Sequence, residues 1–117
     1  MIDHVRATVG NERIAVEPFP GNTDTPPVTG TVGPSFRMLN RTIREIFPDV
    51  IVAPGLMVAA TDSRHFTGVT DTIFRFSPVR ATSDDLKRFH GTNEGLSVEG
   101  YADMIRFYRR LIENSAG

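Results

Sequence analysis

The 117-residue sequence carries 13 Lys and Arg against 14 Asp and Glu, and it contains no cysteine. A chain of this length is one domain's worth and buries roughly two-thirds of its unfolded surface when it folds. The near balance of charge argues against a basic nucleic-acid groove or an anionic membrane surface as partner. The missing thiols exclude disulfides, thiolate nucleophiles and thiolate metal sites, and leave the redox compartment unassigned.

No apolar run approaches the ~18 residues of a membrane span. The opening MIDHVRATVG has neither a basic nor an apolar signal region, so no compartment is assigned. In chain order, Ile2, Val5 and Val9 read as the last turns of a helix, stopped at Gly10-Asn11 and followed by a short strand through Ile14 and Val16. Residues 20–33, rich in Pro, Gly and Thr, form a loop or an interdomain crossover. Gly33-Pro34 starts a helix, because proline suits the first helical position; Phe36, Leu39, Ile43 and Ile46/Phe47 give it one apolar stripe, and Pro48 ends it. The apolar runs at 50–54 and 56–60 are too short for helices and read as buried strands broken at Pro54-Gly55. The segment TIFRFSP, 72–78, alternates as a strand does. Ser97 caps a closing helix in which Tyr101, Met104/Ile105, Tyr108 and Leu111/Ile112 recur at helical spacing, with Glu99 near its positive end. The order predicts an α/β fold with a mixed sheet and flanking helices.

Two loci in this pattern carry chemistry. Thr61-Asp62-Ser63-Arg64 follows an apolar strand, the place where ligand-contacting groups collect in mixed sheets. Residue types alone favour a plain Asx-type turn there, with Arg64 paired to Asp62 or to solvent. Crowding within four residues and the lack of a Gly-x-Ser-x-Gly elbow argue against a Ser63/His65/Asp62 triad. The second locus is RFHGTNE, 88–94. His90 sits in a segment without apolar period, followed by a glycine that lets the backbone pass close to a bound ion. Taken singly, a solvated loop histidine is the stronger reading, since zinc requires three or four ligands and neither His4 nor His65 lies at a ligand spacing from it.

The strings VAPGLMVAATDSRHF, IFRFSP and FHGTNEGLSVEGYADMIRFYRRLI, in this order, resemble the C-terminal part of the di-zinc metallopeptidases. These include aminoacylase-1, carboxypeptidase S (Gly-Xaa carboxypeptidase) and glutamate carboxypeptidase, and form family twenty of the metallopeptidases. The resemblance covers essentially the whole chain and is most specific over 50–111. The Thr-Asp-Ser-Arg-His-Phe string makes the carboxypeptidase S type the nearest subgroup. The resemblance implies that His90 is a terminal zinc ligand and that Thr61, Asp62 and Arg64 line the substrate pocket. It also implies that Glu94 orients the loop around His90. Arg64 then suits a substrate carboxylate, which a planar guanidinium meets with two donors.

The family's other zinc ligands and its general base come from a His-x-Asp segment, a bridging Asp and a Glu-Glu pair; neither His-x-Asp nor Glu-Glu occurs here. The resemblance therefore implies a piece of such an enzyme. Residues 1–19 would be the end of the lid (dimerisation) domain, 20–33 the crossover, and 34–117 the C-terminal segment of the catalytic domain. Its parent would use two zinc ions and a glutamate to hydrolyse the amide of an N-acyl amino acid or dipeptide. This chain would be inactive alone. Two further readings stand beside it: an independent α/β domain holding an anionic ligand at the Arg64 turn, and an incomplete gene product. The latter would self-associate as a homo-oligomer through the edge strand Arg13–Glu17.

Overall fold

The structure is a computed structural model that describes residues 1–21 and 25–117. It consists of four α-helices, α1 (Ile2–Val9), α2 (Pro34–Ile46), α3 (Ser83–Arg88) and α4 (Val98–Ala116), and a 3₁₀ helix at Asp62–Phe66.

Both long helices begin where their sequence dictates, and so does the end of α2. Extended Gly33 precedes Pro34, whose missing N–H would have lacked an intrahelical partner anyway. Phe47 closes α2 by donating its N–H to the Ile43 carbonyl at 2.7 Å, and Pro48 cannot continue the ladder. Ser97 caps α4, its Oγ accepting the Gly100 N–H at 3.0 Å. α1 ends at Gly10, whose φ of 55° is a left-handed conformation that glycine adopts without penalty.

α2 and α4 are the only two helices in contact among the described residues. Their seam buries Ile43, Phe47 and Phe107, with Leu39, Ile46, Val50, Val52 and Leu111 packed around them. A polar clasp runs beside this core. Glu45 accepts from Arg110 Nε at 2.6 Å, Asn114 Nδ2 at 3.0 Å and Arg41 Nε at 2.7 Å. Asn114 Nδ2 also donates to the Oγ1 of fully buried Thr42 at 2.9 Å, and that hydroxyl donates to the Met38 carbonyl. The Arg110 hydrogen bond, followed by those of Asn114 and Arg41, holds the Glu45 carboxyl down at about 2. The segments 47–52 and 73–80 lie against this pair. The Phe76 ring centre is 5.2 Å from that of Phe107, and Phe74 is 5.7 Å from Phe36. Arg80 forks onto Asp49 at 2.6 and 2.9 Å while covering the Phe47 ring.

The mixed sheet expected from the sequence is not present: the described residues contain no strand, and the architecture is helical. The runs at 13–17, 50–54, 56–60 and 72–78 form neither helix nor ladder. The physical reason is that β-propensity only makes a strand eligible; a neighbouring backbone must complete it. None of these runs has one. At Ile73 the missing neighbour is replaced by a side chain. Thr29 Oγ1 donates to the Ile73 carbonyl at 2.9 Å and accepts its N–H at 3.1 Å. In the first run, the Ile14 N–H turns back to Asn11 and the Val16 carbonyl accepts from Arg6.

Much apolar surface stays uncovered. Ile51, Leu56 and Val58 are exposed, and α1 buries no residue. The radius of gyration is 19.2 Å, against ~13 Å for a compact domain of this length. No helix among the described residues is long and apolar enough to cross a membrane.

Candidate functional site

The Thr61 locus is a 3₁₀ turn organised by hydroxyls. Thr61 caps it, with its Oγ1 accepting the Ser63 N–H at 3.3 Å and its carbonyl accepting the Arg64 N–H at 3.3 Å. The Thr61 and Ser63 hydroxyls are themselves in direct hydrogen-bond contact. A residue that the sequence pattern did not single out holds both. Arg75 Nε donates to Ser63 Oγ at 2.7 Å and to Thr61 Oγ1 at 3.3 Å. Arg75 sits in the alternating run 72–78, where its position marks it only as a polar face residue; a link across twelve and fourteen residues leaves no local signature.

Arg64 does not pair with Asp62. Among the described residues it makes no ion pair; its Nε points to His65 Nε2 at 3.3 Å, and its carbonyl accepts from Thr67. Asp62 and Arg64 are both exposed, whereas Thr61 and Ser63 are half-buried. The turn therefore presents a guanidinium and a carboxylate outward from a fixed hydroxyl base.

The His90 locus is built from α3, a six-residue helix too short to show an apolar period in the sequence. Its start is a capping box: Thr82 Oγ1 accepts the Asp85 N–H, and the Asp85 carboxylate accepts the Thr82 N–H at 2.8 Å. The Thr82 hydroxyl, the Thr82 N–H and the contacting Arg88 guanidinium hold the Asp85 carboxyl down at about 2. Directly after α3 the chain reverses. The Gly91 N–H bonds back to the Arg88 carbonyl at 2.8 Å, and a Cβ on Gly91 would sit 3.3 Å from that oxygen.

His90 itself adopts a φ of 59°, and Asn93 one of 62°. A non-glycine residue in the left-handed region costs about 1–2 kcal/mol and persists only where its surroundings hold it. The holding groups are visible: Glu94 Oε2 accepts the His90 N–H at 3.0 Å, and Arg88 Nη1 reaches the Asn93 carbonyl at 3.3 Å. Glu94 thus secures the backbone of His90 and not its ring. The imidazole packs against Phe89 in a tilted arrangement, with centroids 4.4 Å and planes 57° apart, and its nitrogens have no hydrogen-bond partner among the described residues. The loop holds His90 in a left-handed backbone conformation and leaves the residue exposed.

No hydrogen bond or ion pair among the described residues joins this loop to the Thr61 turn, and the two short helices do not touch. No three His, Cys, Asp or Glu side chains among the described residues converge as a metal site.

The chain is 39% identical over 115 residues to "Probable carboxypeptidase S-like 2" of Dictyostelium discoideum, an alignment covering 98% of this chain and 22% of the relative. It is 36% identical over 117 residues to an N-fatty-acyl-amino acid synthase/hydrolase of Danio rerio and 37% over 115 residues to that of Xenopus tropicalis, again with 98% and 22% covered. No protein-family model and no solved structure matches the chain. These relatives define a class of peptidases and amidohydrolases, as the Thr-Asp-Ser-Arg-His-Phe and His-Gly-x-Asn-Glu strings indicated. The chain belongs to the carboxypeptidase S-like family, and spans about a fifth of the length of the curated relatives it matches.

Proposed function

We propose that this chain is the C-terminal portion of a zinc-dependent amidohydrolase or carboxypeptidase that acts on N-acyl amino acids or dipeptides, and that it is inactive by itself. The observation that carries the reading is the strained presentation of His90, placed within a family whose relatives are named for peptide and N-acyl amino acid chemistry. His90 supplies one zinc ligand, and the remaining ligands and the general base lie outside these 117 residues. Glu94 fixes the loop. Thr61, Asp62 and Arg64 line the wall of the pocket, with Arg64 available to a substrate carboxylate because no carboxylate of the described residues occupies it. Residues 1–19 form the end of a lid domain, and 20–33 form the crossover into the catalytic segment.

Two preparations test this. The purified chain with added zinc should show no hydrolysis of N-acyl amino acids or dipeptides, because one ligand falls short of the three plus an open position that catalysis requires. The same residues substituted for the aligned segment of the Dictyostelium relative should give an active protein that loses activity on His90→Ala. Zinc-dependent turnover by the chain alone, or an active His90→Ala graft, would refute the assignment.

A further inference from the structure

The Thr61 turn is tied to the rest of the chain by a single side chain. Arg75 Nε donates to Ser63 Oγ at 2.7 Å and to Thr61 Oγ1 at 3.3 Å. Among the described residues, no other hydrogen bond links residues 61–67 to a segment outside 61–70. The far end of this tie is anchored in the core. Phe74 and Phe76, on either side of Arg75, place their rings 5.7 Å from Phe36 of α2 and 5.2 Å from Phe107 of α4. Arg64 sits at the near end. Its N–H donates to the Thr61 carbonyl at 3.3 Å, and its carbonyl accepts from Thr67 Oγ1 at 3.0 Å. A continuous path therefore runs from the α2–α4 pair through Arg75 and Thr61 to the backbone from which Arg64 projects.

We propose that Arg75 is a positioning residue for substrate binding: it holds the turn that carries Arg64 and sets a second positive charge beside it, so that a substrate carboxylate meets a guanidinium already in place. The inference rests on the reading of Arg64 as the residue that faces that carboxylate. Arg75's choice of partner supports it. Asp62 lies between the two hydroxyl residues, yet Arg75 takes the neutral hydroxyls, and neither Asp62 nor Arg75 enters an ion pair among the described residues. A guanidinium recruited only to tie down a turn makes its strongest bond to a carboxylate, with two parallel donors. Held on hydroxyls, it fixes the turn and keeps its charge available to an incoming anion. Ordering a long, flexible side chain at the moment of binding costs affinity, and a backbone fixed beforehand spares part of that cost. The effect belongs to substrate binding and not to the bond-breaking step.

The graft of these residues into the Dictyostelium relative tests this with an N-acetyl amino acid as substrate. Arg75→Gln should raise KM about tenfold and leave kcat within about twofold, the pattern of a lost binding contribution. Arg75→Lys keeps the charge and a donor for each hydroxyl, and should return KM to within about threefold of the unsubstituted graft. A loss of kcat at unchanged KM would make Arg75 a plain fold residue and overturn the proposal. Arg64→Gln separates the two readings. A KM raised by Arg64→Gln and untouched by Arg75→Gln overturns the positioning role alone; a KM untouched by both overturns the assignment of Arg64 with it. If the graft does not fold, the 117-residue chain itself supplies the measurement. Sodium acetate, against sodium chloride as the ionic-strength control, should shift the Arg64 Nε–H resonance, and Arg75→Gln should weaken that response about threefold. An equal response in the two chains, or none in either, would overturn the proposal.

Discussion

Replacing Phe107 with Ala tests whether the α2–α4 seam is what holds this chain together. The ring is 1% exposed, lies 5.2 Å from Phe76 and 5.5 Å from Tyr108, and shares its cluster with only two other buried apolar side chains, Ile43 and Phe47. Truncating a buried phenylalanine costs about 3–5 kcal/mol, the transfer of the ring plus the cavity it leaves. A compact domain of this length has about 6–18 kcal/mol to lose. A chain whose described residues form a buried cluster of three apolar side chains, and whose radius of gyration is 19.2 Å, lies at or below the bottom of that range. Phe107→Ala should therefore unfold α2 and α4 at room temperature without denaturant. Val98→Ala, at a position 88% exposed on the same helix, should change stability by less than ~0.5 kcal/mol. Urea titration followed by far-ultraviolet circular dichroism measures both. Equal midpoints for the two variants would show that the seam does not carry the fold.

The acid behaviour of the clasp follows from Glu45. Its carboxyl lies at about 2 against an ordinary 4.5, so the stability it contributes is complete above pH 4.5 and is lost as pH falls towards 2; Glu45→Gln should flatten that part of the helical signal's acid titration. The slope that remains belongs to Asp85, Asp49 and Glu113, which are also depressed, and an unchanged titration would remove Glu45 from the account. Arg75→Gln should free the Thr61 turn and speed amide hydrogen exchange at Ser63 about tenfold, in line with losing the charge-assisted donor shared by Ser63 and Thr61, with no change in the α2–α4 melting transition. His90→Gly should stabilise the lone chain by about 1 kcal/mol, because glycine takes the φ of 59° without strain. A destabilised His90→Gly in thermal melts would mean that the imidazole is a packing residue and not a presented one.

The helices were legible because their signals are local. Pro34, the Phe36–Phe47 stripe and the Ser97 cap mark α2 and α4 within a few residues, and Gly10 marks the end of α1. α3 escaped because six residues are too few for periodicity, although Thr82-x-x-Asp85 is the capping-box spacing with aspartate in the acidic position. The strands failed for a different reason. Val50–Pro54 and Thr72–Pro78 have strand-like composition, but a sheet is a property of pairs of segments, and at Ile73 a threonine side chain stands where a neighbouring strand would. At the sites, His90 and Glu94 could be chosen by motif, whereas the left-handed backbone that distinguishes the loop could not. Arg75 was invisible because its role depends on which turn it reaches.

The central claim is that His90 is presented to a metal ion whose other ligands lie elsewhere in a longer carboxypeptidase S-like protein. The most direct test is the zinc content per chain of the Dictyostelium relative carrying these 117 residues, compared among His90→Ala, His65→Ala and His4→Ala. Loss of bound zinc in His90→Ala alone, with the other two variants matching the unsubstituted graft, is the result this account predicts. Full zinc occupancy in His90→Ala, or equal loss in all three, would contradict it.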